Sequence, residues 1–140
     1  MDRDQVLALL DKRAAAWAAH DAHALALTYA ENGVVISPTG GVLEGRAEIE
    51  RIYRMWFSAF PDLVFTREDL LVEGDRIVQI GRVSGTHVGD FFGISATGRR
   101  LHLTIALLMT LRDGEIIHER RIYDFTGALV QVGVLRAKPA

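Results

Sequence analysis

Four side chains in the C-terminal two-thirds of the sequence could do chemistry together: His87, His118, Arg120 and Asp124. A carboxylate held out of water can take a proton from the carbon next to a carbonyl, and a nearby cation or phenol can stabilise the resulting enolate oxygen. A turn decides whether they meet. Asp113-Gly114 is the strongest turn signal in the chain, because both central positions of a type I′ turn need positive φ, which Asp-Gly tolerates. With Arg112 opposite Glu115, Met109 faces His118, Leu107 faces Arg120, Ile105 faces Ile122 and Leu103 faces Asp124. Strand side chains alternate, so all eight share one face. Leu103, Ile105, Leu107, Met109 and Leu111 make that face apolar, and it is expected to be buried, which would place His118, Arg120 and Asp124 where water is scarce. Burial favours the neutral carboxyl and a guanidinium the charged one, so its protonation state stays open. Arg120 is the nearer ion-pair partner, and a structural Asp124–Arg120 bridge is the alternative to catalysis. A bulge would reverse the parity.

His87 lies in Gly85-Thr86-His87-Val88-Gly89-Asp90, where a strand runs into a glycine-rich loop before Phe91 and Phe92. It is read as a histidine on a cavity rim, with a local bond that holds the loop as the alternative. Trp17, Tyr29, Tyr53, Trp56, Phe91 and Leu107 are the expected pocket wall, although aromatics at helical spacing also serve as ordinary core. His87 and Asp90 are too few for a metal site and no HExxH occurs, so no metal is expected. No GxGxxG or GxxxxGK motif supports a nucleotide, and no GxSxG elbow supports a serine nucleophile, so no cofactor is expected.

The elements that must carry these residues follow from periodicity. Val6, Leu9, Leu10, Ala14 and Trp17 recur at three- and four-residue intervals, which predicts a helix opened by an Asp2/Gln5 capping pair. Asp21 is positioned to cap a second, short helix containing Leu25 and Tyr29. Short strands are expected at Val34–Ile36 and Val42–Leu43, and a third helix from Arg46 that Pro61 ends. Four long strands follow, over 63–72, 77–86, 101–111 and 116–125, separated by turn signals. Helices gathered first and strands gathered last describe an α+β domain whose sheet covers its apolar face with the helices.

Composition narrows the function. The 140 residues suit a single domain over 1–140, and 49% apolar with 24% charged residues describe a chain that buries a core. Sixteen basic against eighteen acidic residues give a formal charge of -2 and no electrostatic reason to hold nucleic acid. Without cysteine there is no thiol chemistry. No leader-like or membrane-length apolar run is seen, so the reading is a cytoplasmic protein.

The segments GEIIHERRIYDFTGALVQVGVL, GTHVGDFFGISATGRRL and AFPDL resemble the SnoaL-like polyketide cyclases of the nuclear transport factor 2-like superfamily. The resemblance spans nearly the whole chain. It implies a cone-shaped α+β fold, three N-terminal helices on a strongly curved antiparallel sheet, an apolar cavity for a small molecule, and usually a homodimer. It also implies cofactor-free aldol chemistry, with Asp124 as acid and base in a pattern completed by Gln131 and Gly133. His87, His118, Arg120 or Tyr53 would be its donors. Cyclase-like or isomerase-like catalysis on an apolar carbonyl compound is therefore expected. The alternatives are a ligand-binding protein without catalysis and a hydrolase of the epoxide type.

Overall fold

A capping box opens the first helix. In the computed structural model, which describes residues 1–136, the Asp2 carboxylate accepts from the Gln5 amide while the Gln5 side chain accepts from the Asp2 amide, both at 2.8 Å. Helix α1 runs over Arg3–Ala18, and α2 over Ala22–Leu27 begins at the predicted cap Asp21. Tyr29 does not belong to α2, as its spacing had suggested, but begins strand β1 (Tyr29–Ser37). Strand β2 (Gly41–Glu44) and helix α3 (Arg46–Ala59) come next, so three helices precede the long strands as expected.

The remaining strands are β3 (Val64–Glu73), β4 (Arg76–Thr86), β5 (Arg100–Arg112) and β6 (Glu115–Ile122). They form one six-stranded sheet in the order β2-β1-β6-β5-β4-β3. The sheet is not wholly antiparallel. β6 returns from its hairpin beside β1 in the same direction, with Val35 opposite Glu119. Register shifts interrupt β1, β3 and β6, and such irregularities bend strands and increase twist, which curves the sheet around the helices. Its inner face carries Val35, Ile77, Val83, Leu103, Leu107 and Met109 into the core with Val6, Leu9, Leu10, Ile49 and Ile52 from the helices.

The last strand was expected to continue to Phe125, but it ends at Ile122, and a fourth helix, α4, spans Phe125–Gln131. Asp124 is its N-cap and accepts from the Gly127 amide at 2.8 Å. Gln131 holds the helix to the sheet: its side-chain oxygen accepts from the His102 amide at 2.6 Å and its nitrogen donates to the His102 carbonyl at 2.9 Å. Gly133, at φ +83, closes the end, and a Cβ there would meet the Arg99 guanidinium at 2.9 Å. The Asp, Gln and Gly of the family-like pattern thus start, fasten and finish one short helix.

Candidate functional site

The hairpin forms as its turn predicts. Asp113 and Gly114 have φ of 52° and 80°, and Arg112 lies opposite Glu115. The expected register holds through Ile116, which pairs with Leu111, and fails at the next position, where Thr110 pairs with His118 instead of Ile117. Ile117 is an extra residue in β6, and from there every side chain changes face. Glu119 and Arg121 point inward opposite Met109 and Leu107; His118, Arg120 and Ile122 point to the outer face of the sheet. Arg120 is exposed and His118 only half-buried. Asp124 lies beyond the strand, exposed, with its carboxylate engaged in the helix cap. The predicted inward trio of His118, Arg120 and Asp124 is therefore corrected to an inward pair, Glu119 and Arg121.

That pair belongs to a buried network. Arg121 Nε donates to Glu119 Oε1 at 2.7 Å, and Tyr29 Oη donates to the same oxygen at 2.9 Å. Tyr29 Oη is 2.8 Å from Tyr53 Oη, which accepts from Arg13 Nη2 at 2.9 Å; Arg13 Nη1 donates to Thr28 Oγ1 at 2.7 Å. Because the Tyr29 hydrogen goes to Glu119, the hydrogen between the phenols comes from Tyr53. The guanidiniums also lie over aromatic faces, Arg13 5.2 Å from the Tyr29 ring centre and Arg121 4.8 Å from that of Tyr53. Glu119 Oε2 has no hydrogen-bond partner among the described residues and lies 3.9 Å from Arg13 Nη2.

Charge follows from these contacts. Burial works to raise the Glu119 pKa, but Arg121 and Arg13 outweigh it and hold the carboxyl below its ordinary range. Burial pushes the Tyr29 phenol well up, so it stays neutral. Guanidiniums do not deprotonate in proteins. Two cations and one anion remain.

Two adjoining chambers flank this network. The inner one, about 40 Å³, lies between α1, α3 and the sheet and is lined by Arg13, Trp17, Tyr53, Trp56, Leu63, Phe65, Val83, Leu103, Ile105, Leu107, Arg121 and Tyr123. The outer one, about 550 Å³, opens between α1 and β3 and shares Arg13, Trp17, Leu63, Phe65 and Leu107 with the inner. Its volume is in the range of small-molecule sites. Trp17 stacks on Phe65 at 5.5 Å along the shared wall. Phe65 packs so closely on β4 that a Cβ at Gly81 would meet its ring at 2.7 Å. Tyr123 Oη bonds Thr39 Oγ1 at 2.6 Å, and burial raises its pKa.

Of the predicted pocket residues, Trp17, Tyr53, Trp56 and Leu107 line the inner chamber. Tyr29 is fully buried one step behind it, in the network, and Phe91 is core, packed on Trp56 and Phe60 at 4.9 and 5.2 Å. His87 lines neither chamber. It is fully buried between Phe60 and Phe91, with Nδ1 2.9 Å from Thr97 Oγ1, so it holds its loop. Among the described residues no group of three or more His, Cys, Asp or Glu could hold a metal ion.

Arg13, Glu119 and Arg121 were not among the predicted site residues. The signal for Arg13 was present: it lies four residues after Leu9 and three after Leu10, on the stripe that Val6 begins, whereas its neighbour Ala14 is exposed. Nothing in the local pattern of EIIHERRI marks the bulge that turns Glu119 and Arg121 inward.

The family model for SnoaL-like polyketide cyclases matches residues 8–132. The chain belongs to this family. Among solved structures, this SnoaL-like protein is similar to TsrD from Streptomyces laurentii, with 30% identity, a TM-score of 0.86, and coverage of 96% of this chain and 99% of that one. It is likewise similar to a SnoaL-like protein of Jannaschia sp. CCS1, with 25% identity, a TM-score of 0.85 and 99% of both chains covered. IdmH from Streptomyces antibioticus is 25% identical over 89% of this chain and 96% of its own, with a TM-score of 0.74. No curated protein matches in sequence. The family and these structures agree with the nuclear transport factor 2-like, α+β architecture and with a general cyclase-like or isomerase-like role. No helix among the described residues is long and apolar enough to cross a membrane.

Proposed function

We propose that this SnoaL-like protein takes a small, apolar, carbonyl-bearing molecule into the paired chambers and catalyses cofactor-free proton transfer on it, of the cyclase or isomerase kind. The observation that carries the reading is the phenol chain from the cavity wall to a buried carboxylate, Tyr53 to Tyr29 to Glu119. A proton leaving the carbon next to the carbonyl passes to Tyr53 Oη as the Tyr53 proton moves to Tyr29 and the Tyr29 proton to Glu119. The electron pair left on the substrate becomes an enolate, and Arg13 and Arg121 stabilise its oxygen. Attack of that enolate on a second carbonyl closes a ring; return of the proton to another carbon isomerises.

Deuterium uptake into ethyl benzoylacetate in heavy water, followed by NMR, tests this without knowledge of the natural substrate. The wild type is expected to accelerate uptake, Tyr53→Phe to lower the acceleration roughly a hundredfold or more, and Asp124→Asn to retain it. Loss in Asp124→Asn with Tyr53→Phe unaffected would return the acid and base role to Asp124. One observation favours the non-catalytic alternative: the carboxyl that ends the relay is held below its ordinary range, which makes it a weak proton acceptor. Binding without deuterium uptake would select it. The epoxide-hydrolase reading needs a carboxylate in the cavity to activate water; among the described residues none lines the inner chamber, and Asp11 and Asp62, which line the outer one, are exposed. A homodimer through the outer face of the sheet is part of the proposal, supported by exposed Ile36, Leu71 and Ile122 on that face.

A further inference from the structure

The buried network is not electrically balanced. Arg13 is 4% exposed and Arg121 9%, yet among the described residues Glu119 is the only carboxylate that pairs with either. Tyr29 between them contributes no negative charge, since burial keeps it protonated. One positive charge is thus left over in a setting where an unmatched ion is costly. The leftover charge is also aimed. The hydrogen bonds of Arg121 leave from Nε and Nη2, so Nη1 has no partner among the described residues, and the side chain lines the inner chamber. Arg13 lines both chambers. The inner space, about 40 Å³, exceeds the roughly 10–15 Å³ that one water needs but is far too small for a ring system. The outer space, about 550 Å³, has room for one against its wall of Trp17, Leu63, Phe65 and Leu107, although Asp11, His20, Asp62 and Arg67 line it as well.

We infer that the molecule bound here is an anion: a planar apolar body in the outer chamber, bearing an ionised oxygen that enters the inner chamber and meets Arg121 and Arg13. The oxygen belongs to a carboxylate or to an acidic enol, and the shared feature is a negative oxygen conjugated to the body. This rests on the proposed use of the chambers as the binding site and names the class of compound they take. The charges then match at every stage. Ligand and network are neutral together when bound, and they stay so when a proton passes from the substrate to Glu119.

Isothermal titration of the full chain with naphthoate, hydroxynaphthoquinone and naphthamide tests the inference. The three share a fused two-ring body and differ in head group: a carboxylate, an acidic enol and a neutral amide. At least one anion is expected to bind tenfold or more tightly than the amide, and the better of the two identifies the oxygen. Glu119→Gln adds a further positive charge to the network without changing its shape and is expected to widen that gap. Equal binding of amide and anions by the wild type would overturn the inference and leave the pocket reading standing. Binding of none of the three would overturn both. Because the decisive comparison is made on the wild type, a folding defect in Glu119→Gln cannot hide the result.

Discussion

Glu119 stands between two guanidiniums, and removing it should cost more than any hydrogen bond it makes. Glu119→Ala leaves Arg13 and Arg121 buried without a counter-charge, a change expected to destabilise by about 3–5 kcal/mol, read as a lowered urea midpoint. The same carboxyl couples stability to acid. Its folded pKa lies below the ordinary 4.5, so its stabilisation is complete above that value and is lost as the pH falls toward the folded pKa. Urea titrations at neutral pH and in acid should show a smaller acid loss in Glu119→Gln than in the wild type. At this scale the sequence was half legible. Trp17, Tyr53, Trp56 and Leu107 can be read from helical and strand periods, and so could Arg13, whose charge argued against the stripe on which it sits. Glu119 and Arg121 could not be read, because a single unpaired residue between the turn and the strand end decides which face they take.

That residue makes β6 the element on which the site depends. Deletion of Ile117 would remove the bulge and leave an uninterrupted ladder in which His118 still pairs with Thr110 and Glu119 with Met109, so that Glu119 and Arg121 keep the inner face. We expect that variant to keep a cooperative unfolding transition, measured by circular dichroism. Asp124→Ala removes only a helix cap from α4, for which a loss of about 1 kcal/mol is expected, visible as a modest fall in the same transition. The element order was legible because helices and strands differ in period. The stop at Ile122 was not, since DFTGALVQ has too few residues for a helical pattern to stand out against a continuing strand. Asp124, a good cap and a good catalyst by residue type alone, was read as the second for want of that boundary.

Across the whole molecule, the layer of helices on a curved sheet follows from the pattern of apolar residues, and the family resemblance reached the same architecture. The sheet has a second face that the helices do not cover. Ile36, Leu71 and Ile122 are exposed there, at 36%, 64% and 50%, with Leu108 and Val78 half-buried between strands. If two copies meet on this face, sedimentation should give a dimer for the wild type and a monomer for Ile122→Arg, since a charge at the seam would have to be desolvated. The parallel pairing of β1 with β6 was not legible, because periodicity says which face a residue takes and nothing about which distant strand lies beside it.

That pairing also bears on how the molecule is made. The chain lays down Arg13, Tyr29 and Tyr53 early, but among the described residues the counter-charge of Arg13 arrives only with Glu119, on the strand that must slide in beside β1. A chain still emerging from the ribosome therefore holds a stranded cation and an unclosed sheet. Assembly should wait for β6 and then proceed in one step, so that fragments ending before β6 remain unstructured and vulnerable to proteolysis.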